Sequence, residues 1–272
     1  MMQQKKIVAN KQFLTFVFVF TFIIVACKNE DNNQANKENQ IPILSYSILN
    51  SFPHDSSSFT QGLTFSNGEL YEGTGEYDGK SKLLKVDLKN GNAISKITLG
   101  KQFFGEGIAI LHDTIYQLTW QNKLVFSYSI KDFKKIKEFP IATEGWGITT
   151  DGKNLIVSNG SGNLYFYEPS TFRLLHTTGI LENGNPVFNL NELEFIDGFV
   201  YANQWQYPYI LKIDPQLGIV VAKYDLTELW KRVQLKDPNA DVPNGIAYDE
   251  TTKKIYITGK RWPEIYEVYL SQ

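Results

Sequence analysis

Cysteine and histidine are nearly absent from this chain. Its 272 residues include one cysteine, Cys27, and three histidines, His54, His112 and His176. A single cysteine excludes an intrachain disulfide. The histidines show no metal-ligand spacing, which argues against a His-ligated zinc and against a histidine-based triad. A basic block is also missing. The 27 Lys and Arg against 29 Asp and Glu leave a net charge of −2, so no nucleic-acid partner is expected. Helical periodicity is scarce as well. Aromatic residues are not: they make up 14% of the chain, which suits a sheet-rich fold with aromatic-lined surfaces.

The N-terminal segment has the pattern of a targeting signal. Lys5, Lys6 and Lys11 precede the apolar run FLTFVFVFTFIIVA, Phe13 to Ala26. At 14 residues this run is short for a membrane span and suits a signal-peptide core. It ends Ile24-Val25-Ala26-Cys27, which resembles a bacterial lipobox. That resemblance implies cleavage before Cys27, lipidation of Cys27, and an exported protein anchored in the cell envelope. The anchor would serve the periplasmic face or the cell surface. A plain secretory signal with a chance cysteine is the alternative. The following KNEDNNQANKENQ has no aromatic and almost no apolar residue, so it cannot bury enough surface to fold. It reads as a flexible tether spanning roughly 20 Å. Residues 1–26 are thus read as a signal peptide, 27–41 as a lipid-anchored tether and 42–272 as the folded domain, expected to be a monomer.

From Pro42 onward, short alternating strands are separated by turn signals, as in GELYEGTG, TIYQLTW and GFVYANQW. One exception is DLTELWKR, where Asp225 and Glu228 predict a capping box on a short helix. The strands recur in sets. Five segments begin alike: QGLTF at Gln61, EGIAI at Glu106, WGITT at Trp146, NELEF at Asn191 and NGIAY at Asn244. Their spacings are 45, 40, 45 and 53 residues. Four strands per unit at this period predict an all-β, five-bladed β-propeller. The last unit stops after three strands, so Ile43 to Phe52 is expected to supply its outer strand and close the ring. A β-sandwich does not explain a fivefold repeat.

In a propeller the first strand of each blade lines the central channel. Gln61, Glu106, Trp146, Asn191 and Asn244 are therefore expected to form a ring around the axis. The second strand returns to the same end. Trp120 and Trp205 each fall 14 residues after their ring residue, and Lys260 falls 16 after its own. Phe59 and Phe104 lie two residues before ring positions. One mouth of the channel should gather these groups into an apolar pocket with a few polar contacts, the usual description of a small-molecule site.

At these residues the chain resembles the plant- and bacterial-type glutaminyl cyclases, the propeller family of glutaminyl-peptide cyclotransferases. The resemblance is carried by FTQGL, LYEGTGEYDGKSKLLKVDL, FGEGIAIL, EGWGIT, LNELEFIDGFVYANQW and NGIAYDETTKKIYITGKRWPEIYEV, nearly the whole chain from Phe52 on. It implies conversion of N-terminal glutamine to pyroglutamate with release of ammonia, acting on peptides or proteins. It implies catalysis without a metal, although a structural channel cation such as calcium is compatible with it. The family's acid/base glutamate matches Glu106. Its pocket aromatics match Phe59, Phe104, Trp120, Trp146 and Trp205, and its polar contacts match Gln61, Asn191 and Lys260. Two departures stand out: Ser158-Asn159-Gly160-Ser161 replaces a Ser-Asp-Gly-Ser turn, and Tyr207-Pro208-Tyr209 follows Trp205.

The chemistry fits such a set. A carboxyl group that moves protons at neutral pH works best with a raised pKa, which a dry aromatic pocket favours. Lys260 pushes the other way. Gln61, Asn191, Lys260 and the indole N–H groups are candidate oxyanion donors. Alternation places Glu192 on the face opposite Asn191, as a structural residue. Two other readings compete: a non-catalytic propeller lipoprotein that binds peptides or a protein, and a metal-dependent lactonase or esterase. One channel carboxylate is few for the latter.

Overall fold

The computed structural model describes residues 40–272. The signal segment, Cys27 and the tether as far as residue 39 lie outside the described residues. The chain opens with β1 (Ile43–Leu44) and β2 (Tyr46–Pro53). A first sheet follows: β3 (Thr60–Ser66), β4 (Glu69–Thr74), β5 (Lys82–Val86) and β6 (Ala93–Thr98). The second contains β7 (Gly105–Leu111), β8 (Thr114–Thr119), β9 (Leu124–Ser129) and β10 (Lys135–Pro140). The third contains β11 (Ile148–Thr150), β12 (Leu155–Val157), β13 (Asn163–Glu168) and β14 (Arg173–Gly179). A small hairpin, β15 (Leu181–Glu182) and β16 (Asn185–Pro186), precedes β17 (Leu190–Ile196), β18 (Phe199–Gln204), β19 (Tyr209–Asp214) and β20 (Ile219–Asp225). After the helix α1 (Thr227–Lys236) come β21 (Pro243–Asp249), β22 (Lys254–Gly259) and β23 (Glu264–Leu270).

The residues explain these strands. Asn67-Gly68 and Asp197-Gly198 both take positive φ at each residue, the left-handed pair that a two-residue hairpin turn needs. First strands such as β3, β7 and β21 are almost wholly buried, whereas β6 and β14 are mostly exposed. Burial therefore falls from the axis outward, as in a propeller. The first strands contact one another in chain order, and β21 contacts β3.

Five alike four-stranded blades, the last completed by a single N-terminal strand, were expected; the strand pairing corrects this. Four sheets have four strands, but the sheet built on β17–β20 has seven. Nor is Ile43 to Phe52 one strand serving one blade. It divides at Ser45: β1 runs parallel to β20, while β2 runs antiparallel to β23. The hairpin strand β15 also pairs with β20. The cause is the edge of β20, whose IVVAKYD sequence would otherwise present a β-branched strand ready to pair. The predicted capping box does not form either. Asp225 Oδ1 instead accepts the Thr227 N–H at 2.9 Å, two residues on, and no side chain caps α1.

Candidate active site

Strand register aims the ring residues at the axis. Pairing slips between Thr60 and Gly62, Gly105 and Ile108, Leu190 and Leu193, and Pro243 and Ile246. Each slip contains a ring residue: Gln61, Glu106, Asn191 or Asn244. Such bulges re-aim side chains out of simple alternation. Trp146, the fifth, stands before β11. The bulge in β17 overturns the alternation argument for Glu192. Its carboxylate accepts the Leu63 N–H at 3.2 Å and the Ile246 N–H at 2.9 Å, so it reaches two other first strands. Glu194 follows suit, accepting the Tyr248 N–H at 2.8 Å and the Thr149 hydroxyl at 3.3 Å. Burial pushes its pKa up to about 8. These carboxyls satisfy strand-edge N–H groups that no neighbouring strand covers.

At one end of this arrangement lies a cavity of about 260 Å³. The nine residues matched to the family's site all line it: Phe59, Gln61, Phe104, Glu106, Trp120, Trp146, Asn191, Trp205 and Lys260. Asp241 lines it too, and sequence reasoning missed it because it sits in the connection before β21, outside the repeat register. Asn244, the ring residue of the last repeat, is not in the wall. It is buried and donates to the Thr60 carbonyl at 2.9 Å and to Gln61 Oε1 at 3.3 Å. With Oε1 engaged, Gln61 offers its amide N–H₂ to the cavity. Asn191 Oδ1 is buried and has no hydrogen-bond partner among the described residues, so it suits a donor on a ligand.

Glu106 is 5% exposed. Burial drives its pKa well above the ordinary carboxylate range; Lys260 pulls it down and Glu144 pushes it further up. Lys260 is equally buried at 5%. Burial lowers its pKa, against the opposing pull of Glu106 and Asp241. On both sides desolvation is the larger influence and the mutual attraction of the pair opposes it. Lys260 Nζ also lies 4.7 Å from the centre of the Phe59 ring, a cation–π contact.

The aromatic wall is ordered by edge contacts. Phe104 meets Phe59 at 6.3 Å, Tyr77 at 5.3 Å and Trp120 at 5.8 Å, each edge to face. Trp146 meets Trp205 at 5.4 Å. The indoles of Trp120 and Trp146 do not serve as oxyanion donors, because both N–H groups donate to Glu144 Oε2, at 2.8 and 3.1 Å. The Ser158 to Ser161 turn lies behind the wall. Ser158 Oγ accepts the Gly147 N–H and donates to the Asn191 carbonyl. Tyr207 is exposed and lines no part of the cavity.

His54 secures the segment carrying Phe59. Its Nδ1 faces the Trp262 carbonyl at 2.7 Å and its Nε2 faces Glu72 at 3.1 Å. Both partners offer acceptor oxygens, an arrangement that suits a ring protonated on both nitrogens. Burial alone would lower its pKa; Glu72 and the Trp262 carbonyl more than offset this and leave it raised. Ser58 Oγ and Thr60 Oγ1 donate to the same carboxylate at 3.4 and 2.7 Å, which pins both chain neighbours of Phe59. No motif spacing marks this network.

Comparison with known proteins agrees with the geometry. The family described as glutamine cyclotransferase matches residues 19–270. A glutaminyl-peptide cyclotransferase of Arabidopsis thaliana is 38% identical over 229 residues, covering 83% of this chain and 71% of the relative. The crystal structure of Myxococcus xanthus glutaminyl cyclase is 34% identical and superposes with a TM-score of 0.79, covering 85% of this chain and 98% of that one.

Proposed function

The chain belongs to the glutamine cyclotransferase family, and we propose that Glu106 is the proton shuttle with which it converts N-terminal glutamine of peptides and proteins to pyroglutamate, releasing ammonia. The observation that carries this role is the buried Glu106 carboxyl in the wall of an aromatic pocket. Nucleophile and electrophile belong to one substrate, so the site need only fold the glutamine and move protons.

The steps balance. The neutral α-amine attacks the side-chain amide carbon, forming the new C–N bond. One proton leaves the attacking nitrogen and one reaches the departing amide nitrogen, which leaves as ammonia. Glu106 supplies the second and recovers the first. Its raised pKa brings the carboxyl closer to an α-amine, which titrates near 7.7–8.0, and so eases proton exchange between the two. The Gln61 amide N–H₂ and Lys260 face the oxyanion of the tetrahedral intermediate. Losing one such donor typically costs about 2.7–4 kcal/mol of transition-state stabilisation. Asn191 Oδ1 accepts from a substrate N–H, and the aromatic wall packs the glutamine methylenes and excludes the water that would deamidate them.

On this reading the enzyme is an aminoacyltransferase that needs no catalytic metal; a channel cation would be structural. The N-terminal pattern supports export and anchoring through a lipid on Cys27, with the domain acting as a monomer in the cell envelope. The test is ammonia release from a Gln-initiated dipeptide with a chelator present, for wild type beside Glu106→Gln. Turnover should persist with the chelator and fall by orders of magnitude in a folded variant. Equal rates would take Glu106 out of the chemistry. Absence of turnover by the folded wild type would favour a peptide-binding propeller.

A further inference from the structure

Glu144 belongs to no repeat position. It sits in the connection between β10 and β11, yet its Oε2 accepts the indole N–H groups of two pocket tryptophans, Trp120 at 2.8 Å and Trp146 at 3.1 Å. These come from different sheets: Trp120 follows β8 and Trp146 precedes β11. We propose that Glu144 is a positioning residue for the cyclisation, a single carboxylate that holds Trp120 and Trp146 as one rigid wall across the seam between two sheets. The proposal rests on the glutamine pocket described above.

The surrounding contacts make this carboxylate a hydrogen-bonding tie within a chain of aromatic contacts. Trp120 continues edge to face into Phe104 and Phe59. Trp146 continues edge to face into Trp205. Such contacts fix a ring's distance more tightly than its rotation. Two charge-assisted hydrogen bonds to one oxygen fix the rotation of both indoles. A carboxylate has the lone pairs to accept both at once. The same group lies close enough to Glu106 to act on it electrostatically, in the opposite direction to Lys260. The charged groups around Glu106 are Lys260, Glu144 and, at the rim, Asp241.

Two variants separate the roles. Glu144→Leu removes the acceptor, and KM for a Gln-initiated dipeptide should rise about tenfold or more, with kcat falling less, since two donors lose their partner. The near-UV circular dichroism of the tryptophans should weaken in the same variant. Glu144→Gln keeps one carbonyl acceptor and removes the charge. Its KM should stay close to that of wild type, while the limb of the kcat/KM profile on which Glu106 loses its proton moves to lower pH. A purely structural Glu144 would lower the thermal midpoint of both variants but leave KM, tryptophan spectrum and pH profile unmoved, and that result overturns the proposal. If the leucine variant does not fold, KM and the tryptophan spectrum of Glu144→Ala decide. Wild-type ammonia release tests the cyclase reading separately, and the tryptophan spectrum reports on the tie whether or not turnover is seen.

Discussion

Glu106 and Lys260 line the same cavity, in surroundings that disfavour both charges. Each is raised or lowered first by burial and only then by its partner. A carboxyl with a raised folded pKa has a defined effect on stability. Below the ordinary carboxylate pKa both folded and unfolded chains hold the proton, and nothing is lost. Above it the unfolded chain releases the proton while the folded chain keeps it, so stability falls as pH rises toward the folded pKa. Glu106→Gln removes that dependence. The variant should therefore gain thermal midpoint over wild type, and the gain should widen as pH rises above the ordinary carboxylate range. A gain that is flat with pH would mean that Glu106 is not held in its neutral form. Activity would be lost in the same variant, the trade between stability and function expected at a strained site. Glu106 was legible because a carboxylate interrupts an apolar strand between two glycines. Glu144 and Asp241 were not, because both lie on connections where polar residues are unremarkable.

Between the residue and the molecule stand the bulged first strands and the turns beneath the wall. The repeat was readable from five aligned openings, and the nine pocket residues followed from it. The bulges were not, because a two-residue alternation carries no mark of where one extra residue enters a ladder. That is why Glu192 was placed on the wrong face: its partners, Leu63 and Ile246, lie 129 and 54 residues away. The repeat itself held the clue. Glycine follows the ring residue in QG, EG, WG and NG, but Glu192 follows Asn191. At Gly147 an added Cβ would come within 2.0 Å of the Asn191 carbonyl oxygen, so only a glycine fits. The turn behind Trp146 has a similar constraint. Gly160 has φ of +80°, and a Cβ there would lie 2.6 Å from the Trp146 ring. Gly160→Ala should destabilise the fold by about 1–3 kcal/mol through backbone strain alone. It should also push Trp146 into the cavity, raising KM in steady-state assays while urea titration still shows a cooperative transition. An unchanged KM would show that Trp146 can shift without cost to the pocket.

The whole molecule depends on a segment that the repeat does not contain. β2 pairs with β23 over seven positions, from Tyr46 opposite Leu270 to Pro53 opposite Glu264. β1 pairs with β20 in the neighbouring sheet, and Ser271 donates its N–H to the Ser45 carbonyl between them. The two ends of the described chain are thus stitched across two sheets. Without this segment the outer edge of β23 would be open, with Tyr266, Val268 and Leu270 beside it, and the edge of β20 would lose part of its cover. Open apolar edges recruit other chains. The ladder is also a large share of a small total: hydrogen bonds worth about 0.5–1.5 kcal/mol each, several at once, approach the roughly 5–15 kcal/mol that holds a domain together. A chain beginning at His54 retains every pocket residue, so its fate separates the chemistry from the scaffold. It should aggregate or unfold at temperatures where a chain beginning at Pro42 keeps its fold and its elution volume, as read by size-exclusion chromatography and thermal melting. Adding a synthetic peptide of residues 42–53 should restore part of the lost midpoint, because the same edge is offered in the same register. A shortened chain that melts and elutes like the longer one would mean that the sheet carrying β21–β23 is self-sufficient with three strands.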